Sequence, residues 1–350
     1  MQVDDDILGL LREKGAQAAR QAQRGIILQP GAIGDCILTL PLAEFMKESL
    51  APGGVDILGH TEYTGILPGR TCVDGIRSID TTDLHRLFVE PGTFDLADGD
   101  PLINAFADYA WIVTFLGEPD GDFEQNLIFT ANCSHSVEVI TLSIKPPKGF
   151  CQHITELYQQ QFIEQSGLSL EHWPAQYPRT LIRATEADRA TGQDLLNEAE
   201  IDSLEKLVVI HPGSGGRSKC WHLDNFLAVA KELRSKGLAV VFLLGPAELD
   251  RFSRAKIRDI NSVSRCLTDL SLTQVLALLS CADGFVGNDS GITHLAAAMG
   301  IRTLAVFGPT NPAVYRPVGP AVEIFANAGA AFAKEPSATS QRELLTVLLA

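Results

Sequence analysis

The sequence predicts an α/β protein of two domains, each built on a parallel sheet flanked by helices. Three observations carry that expectation. Short apolar runs alternate with helical stretches along residues 207–307, the pattern of a doubly wound parallel sheet. A strand–turn–helix–strand order begins near residue 25, which is the start of a parallel α/β unit. A chain of 350 residues, 45% of them hydrophobic, is long enough for two cores of ordinary size.

In chain order, residues 1–24 read as a polar helix rich in Gln, Ala and Arg, and Gly25–Gln29 as a buried strand. Pro30 to Asp35 forms a turn, and Ile37–Leu50 a helix with Pro41 in its early turns, where proline is best tolerated. Val55–Leu58 is a second strand. The segment Asp80–Asp108, rich in Asp, Pro and Gly, reads as a long loop with short helical pieces. Trp111–Leu116 and Val137–Leu142 are strands, His153–Gln165 a helix, and Trp173 to Pro178 a linker. In the second half, strands are expected at Leu207–Ile210, Leu238–Leu244, Val263–Cys266, Gly284–Val286 and Thr303–Phe307. Helices are expected at Asp224–Lys236, Ala247–Ile257, Leu272–Cys281, Gly291–Met299 and Ser340–Leu349, with Gly237 and Gly300 closing two of them. The expected domains are residues 1–172 and 173–330, followed by a C-terminal helix within 331–350.

The net charge is −15, which argues against a nucleic-acid partner. It is unevenly spread. Residues 1–172 hold 10 Lys and Arg against 25 Asp and Glu, a net −15, whereas residues 173–350 hold 18 against 18, a net 0. The second half is the one able to hold a small polyanion. The seven cysteines never form C-x-x-C, so a zinc ribbon or disulfide framework is not expected. No apolar run approaches the roughly 20 residues of a membrane helix. The acidic start, Met1 to Asp6, is unlike a secretory signal peptide, and a cytoplasmic protein is expected.

Ligands of an open parallel sheet bind beyond the carboxyl ends of its strands. Four turns lie there in the second half. Val286 to Ala298 (VGNDSGITHLAAA) reads as strand, polar turn and small-residue helix. Asp289 and Ser290 can cap that helix, Gly287 and Gly291 allow a sharp turn and close approach, and the helix dipole favours an anion there. His294, one turn in, shares a face with Gly291. His211 to Trp221 (HPGSGGRSKCW) joins glycines and Ser214 to the cations Arg217 and Lys219, a composition suited to phosphate oxygens; it lacks Walker spacing. In Gly245-Pro246-Ala247-Glu248, the carboxylate of Glu248 either complements a helix dipole or accepts from ribose hydroxyls. After Thr268, Leu270 offers an apolar surface for a base, and Ser271 can cap a helix.

No G-x-G-x-x-G fingerprint with its acidic partner is present, which disfavours NAD chemistry. In the first half, Asp35 follows Gly31-Ala32-Ile33-Gly34 at a helix start. It is either an N-terminal carboxylate of structural use or a general base projecting into a cleft between domains. Asp98-Gly99-Asp100 and Asp120-Gly121-Asp122 match the D-x-D pattern of metal-dependent sugar transferases, but two-acid turns are common in acidic domains, and no metal is expected.

The run Val208 to Gly213 through Lys219-Cys220-Trp221, the Gly245–Glu248 turn, Gly287 to Ala297, and Phe307-Gly308-Pro309-Thr310 together resemble glycosyltransferase family 9, the ADP-heptose:lipopolysaccharide heptosyltransferases. Gly34-Asp35-Cys36-Ile37-Leu38-Thr39-Leu40-Pro41 resembles the family's N-terminal motif. The likeness is dense over about 207–312 and confined to about 25–50 in the first half. It implies a GT-B fold of two Rossmann-like domains facing a cleft, no catalytic metal, no cofactor, and inverting transfer from a nucleotide-activated sugar, ADP-heptose in characterised members. By position, the resemblance makes Asp35 the base, and Ser214, Gly215 and Lys219 donor-phosphate contacts. Glu248 becomes a ribose contact, Leu270 an adenine-facing residue, and Asp289, Ser290, Gly291 and His294 the loop at the donor phosphates and sugar.

The implied acceptor is a lipopolysaccharide-core or other cell-surface glycan, with transient contact to the inner membrane if it is lipid-linked. One departure bears on this. Characterised members use basic residues on the acceptor domain, whereas residues 1–172 here carry −15, which points to a different or less anionic glycan. The alternatives are a sugar-nucleotide epimerase or hydrolase of the same fold, or a non-catalytic nucleotide-sugar-binding protein.

Overall fold

The computed structural model describes residues 23–168, 179–201, 206–326, 332 and 334–349. The predicted helix over 1–24 and the linker over 173–178 therefore lie outside the described residues, save Gln23 and Arg24. The chain forms two compact units. One comprises 1–32, 39–149 and 154–175, and the other 33–38, 150–153 and 176–350.

The first unit holds five parallel strands: β1 (Arg24–Gln29), β2 (Val55–Gly59), β3 (Gly75–Ser78), β4 (Tyr109–Thr114) and β5 (Glu138–Thr141), in the order β3-β2-β1-β4-β5. Ile26 and Leu28 of β1, Leu58 of β2 and Ile112 of β4 pack with Leu102, Phe106, Phe123 and Leu127 from two covering helices, Pro101–Phe106 and Asp122–Asn132. On the other face Phe45 meets Phe162 of helix Ile154–Ser166 edge to face, 5.7 Å between centroids. With both faces covered, the central strands are largely buried, as parallel sheets require. The turn after β1 is fixed by Gln29. Its buried amide donates to Thr39 Oγ1 at 2.8 Å and accepts the Gly31 N–H at 2.9 Å.

The second unit holds six parallel strands: β6 (Leu207–His211), β7 (Ala239–Leu244), β8 (Arg265–Thr268), β9 (Gly284–Asn288), β10 (Arg302–Phe307) and β11 (Val322–Ala326). Their order is β11-β10-β9-β6-β7-β8. The chain runs outward from β6 through β7 to β8, then returns to the other side of β6 with β9. The crevice between the β6 and β9 loops is thus a topological switch point, where doubly wound sheets bind ligands. Helices Leu223–Ser235, Arg254–Val263 and Ala338–Leu349 cover one face. Helix Leu272–Leu279 covers the other and packs on helix Glu186–Glu198. The contact is close: a side chain at Gly192 would meet the Ala277 carbonyl at 2.1 Å.

The predicted doubly wound α/β class holds, with one parallel sheet in each unit. Several elements differ in detail. The helix expected from Ile37 starts at Ile33, so Pro41 is its ninth residue and interrupts the backbone ladder mid-helix. The single helix expected at 247–257 is two, Pro246–Arg251 and Arg254–Val263. Phe252 turns extended, and Ser253 caps a new start by accepting the Lys256 N–H. Val263 therefore ends a helix instead of opening a strand. The segment over 80–108 is three short 3₁₀ turns and helix Pro101–Phe106. β3, β11 and the helices 122–132 and 186–198 had no clear apolar run to announce them; β3, a half-buried strand at one edge, is only four residues long.

Candidate functional site

The corner above β6 and β9 is assembled by side chains bonded to backbone. His211 ends β6 and donates from Nδ1 to the Leu243 carbonyl at 3.0 Å, locking that strand end to β7. Asn288 ends β9, fully buried. Its Nδ2 donates to the Pro212 carbonyl at 2.8 Å, and its Oδ1 accepts the Trp221 N–H at 2.8 Å, so one amide holds both ends of the 212–221 loop. A buried amide with its polar atoms satisfied fixes a unique arrangement, since each lost bond would leave a desolvated group.

On this frame the two loops meet. The Ser214 hydroxyl donates to the Asp289 carbonyl at 2.7 Å, and Lys219 Nζ lies 2.8 Å from Asp289 Oδ2. Ser290 caps helix Gly291–Ala298, accepting the Thr293 N–H at 3.4 Å. The expectation that Asp289 also caps this helix is corrected. Its carboxylate turns to Lys219 instead, because an ion pair offers more to a buried charge than one more backbone bond. Burial pushes the Asp289 carboxyl up, but the His294 imidazole and the Lys219 ammonium outweigh it and hold its pKa at about 2. Lys219 acts by a direct hydrogen bond. His294 Nε2 stands 3.9 Å from Oδ1, a longer and weaker contact.

His294 is 4% exposed, and its Nδ1 is buried with no hydrogen-bond partner among the described residues. A buried ring nitrogen without a protein partner is costly, and such an atom is suited to meet a polar group of a ligand.

Glu248 is also buried. Its carboxylate accepts the Gly245 N–H at 3.0 Å, so it serves the start of its helix. It also fills the space a side chain at 213 would need: a Cβ there would lie 2.0 Å from Oε1. Gly213 is thus required by close approach. Gly287 and Gly291 likewise serve packing, since neither has the left-handed backbone expected of a sharp turn. Gly215 is exposed, and Leu270 is half-buried on the loop after β8, next to the β7 loop by strand order.

Asp35 is half-buried, the third residue of helix Ile33–Ser49. The residues 33–38 cluster with the second unit. There Gly34 faces the His294 ring, a Cβ at 34 falling 3.6 Å from its Cδ2. Tyr315 of helix Pro312–Tyr315 also belongs to this neighbourhood. Burial raises its pKa, the charge of Asp35 raises it further, and Lys219 opposes. His153 donates from Nε2 to the Arg316 carbonyl at 2.9 Å, and burial lowers its pKa. Asp35, Lys219, Asp289 and His294 thus share one neighbourhood of the second unit with Tyr315 and His153, which the sequence did not single out.

Sequence reasoning also missed Arg251. Its guanidinium donates to the Ser214 carbonyl at 2.7 Å and to the Gly215 carbonyl at 2.9 Å, bracing the glycine loop from behind. The acid pairs have other work. Asp100 takes both guanidinium nitrogens of Arg86, at 2.9 and 2.8 Å, and caps helix Pro101–Phe106. Asp122 opens helix Asp122–Asn132. Among the described residues no group of three or more His, Cys, Asp or Glu is placed to hold a metal ion.

The corner is a switch-point crevice at a helix start, the place where doubly wound sheets hold their ligands and where a helix end favours an anion. The chain belongs to glycosyltransferase family 9 (heptosyltransferase), whose family model matches residues 144–344. Lipopolysaccharide heptosyltransferase 3 of Escherichia coli is 30% identical over 119 residues, 32% of this chain and 34% of that protein. The match thus spans about a third of the length of that curated relative. Among solved structures, the E. coli ADP-heptose lipopolysaccharide heptosyltransferase II superposes with a TM-score of 0.66 at 16% identity, covering 94% of this chain and 100% of that one. An E. coli heptosyltransferase solved with ADP gives 0.63 at 16%, covering 93% and 99%.

Proposed function

We propose that this chain transfers a heptose from ADP-heptose to a hydroxyl of a lipopolysaccharide-core or other cell-surface glycan, with inversion and without a metal. The observation that carries this reading is the Lys219–Asp289 pair at the start of helix Gly291–Ala298, beside the partnerless Nδ1 of His294. A diphosphate seated there would meet an ammonium, a hydroxyl and first-turn N–H groups, and a sugar or phosphate oxygen would complete His294. The E. coli relatives, one of them solved with ADP, support the choice of nucleotide.

In this reading Asp35 takes the acceptor hydroxyl proton as that oxygen attacks the anomeric carbon, and ADP leaves. Lys219, the backbone around Gly291 and Ser214, once its hydroxyl turns from the Asp289 carbonyl, stabilise the charge that grows on the departing phosphate, which lowers the barrier because that charge is largest at the transition state. Glu248 would receive ribose hydroxyls on its remaining lone pairs, and Leu270 would flank adenine. Asp35 lies in the first turn of its helix, where the dipole favours the carboxylate. Its place at the helix start lets it work by position.

A thermal-shift panel of nucleotides tests the reading. ADP and ADP-heptose should raise Tm in proportion to occupancy, by mass action, whereas UDP and GDP should not. Equal response to all, or to none, would sink it. Transfer should persist in excess chelator, because cationic side chains hold the leaving group.

A further inference from the structure

A cavity of about 250 Å³ lies behind the 212–221 loop, its lining including Pro212, Arg217, Trp221, Arg251, Phe252 and Lys256. None of the proposed donor contacts lines it. Its position between that loop and the 246–263 segment sets it on the helix Leu223–Ser235 side of the sheet. Its charge is the unusual feature. Arg217, Arg251 and Lys256 all face one small space, and no carboxylate lines it. Among the described residues, none of the three pairs with an acid. In a chain of net charge −15, acidic partners are not scarce, so three unpaired cations around one cavity are not explained by composition. Arg217 and Lys256 are exposed and Arg251 is half-buried, and Lys256 Nζ stands over the Phe252 ring, 5.7 Å from its centroid; solvent screens part of the repulsion among the three, and an anion in the space would offset the rest. The arginines suit phosphate oxygens, which guanidinium groups grip in pairs, and the ammonium of Lys256 adds a point charge. Arg251 already spends two donors on the Ser214 and Gly215 carbonyls, so it is held rigidly at the cavity wall. The buried Trp221 ring, 2% exposed, limits the room to a compact ligand.

We infer that this cavity is a second anion site, separate from the donor corner, for a compact phosphorylated polyanion of the pyrophosphate type. Bound there, the anion would sit on the Arg251 side of the glycine loop. The test uses the full chain with inorganic pyrophosphate as probe, at constant ionic strength, and reads binding by calorimetry and thermal shift. With ADP saturating, pyrophosphate should still bind and raise Tm, and Lys256→Glu should weaken that binding at least tenfold while leaving ADP affinity unchanged. Competition with ADP for one site, no binding, or equal binding by Lys256→Glu would each overturn the proposal. Pyrophosphate binding lost in Lys256→Glu in a chain that ignores ADP would sustain the second site and sink the donor reading instead. The two ideas therefore fail separately.

Discussion

Lys219 and Asp289 are 70 positions apart in the chain and 2.8 Å apart in space. The pair sets two expectations. Asp289 is held at about pKa 2, below its unfolded value of 3.8. A depressed carboxyl contributes stability that is present above the unfolded value and lost as pH falls through the folded one. The contribution is about 1–2 kcal/mol, allowing for the half-exposed lysine and the distant imidazole. Urea melts at pH 6 and pH 2.5 should show Asp289→Asn clearly destabilised at the first and much less so at the second, where part of the carboxylate has been protonated. For catalysis, Lys219→Ala should cost roughly 100- to 1000-fold in kcat, as loss of one charge-stabilising donor does. Asp35→Asn should cost about 100-fold or more with ADP affinity unchanged; near-normal transfer would remove Asp35 as the base. At this scale the glycines, Ser214 and Lys219 were legible because loops that expose backbone carry a recognisable composition. Arg251 and Asn288 were not, because their value lies in which distant carbonyls they reach.

Among the elements, helix Gly291–Ala298 and helix Glu186–Glu198 make a useful contrast. Both begin with a hydroxyl cap. Ser290 accepts from Thr293, and Thr185 accepts from the Asp188 N–H at 3.1 Å while Asp188 returns a bond to the Thr185 N–H at 2.8 Å. Removing either cap should cost about 1 kcal/mol, read as a small fall in Tm. Only Ser290→Ala should also weaken ADP binding, because its helix end faces the proposed phosphates. Equal loss of ADP affinity in Thr185→Ala would show that stability, and no local effect, governs binding. Gly213→Ala carries a sharper expectation. The new methyl must displace the Glu248 carboxylate, so ADP affinity should fall at least tenfold by titration while the far-UV spectrum stays unchanged. Strands with long apolar runs, β6, β7 and β10, were readable from the sequence to within a residue or two. The break at Phe252–Ser253 was not, since the apolar pattern runs straight through it and only the cap at Ser253 marks the new helix.

Across the whole molecule, charge separates the halves. Residues 1–172 carry −15 and the remainder 0. If the first half receives the acceptor, a phosphorylated glycan meets long-range repulsion, which salt screens with a Debye length near 10 Å at 0.1 M. KM for such a glycan should fall as ionic strength rises, and KM for a neutral one should hardly move. A KM for the phosphorylated glycan that rises with salt would reverse the assignment. No helix among the described residues is long and apolar enough to cross a membrane. The sequence by itself determined the α/β class, the alternation that makes both sheets parallel, and the glycine- and hydroxyl-rich loops at strand ends, because periodicity and turn chemistry are local properties. Only the tertiary structure decided that β9 returns beside β6, that Asp289 pairs with Lys219 instead of capping, and that three cations close on one cavity. Those outcomes depend on which distant segments share a crevice, and burial there changes what each charged group must find as a partner.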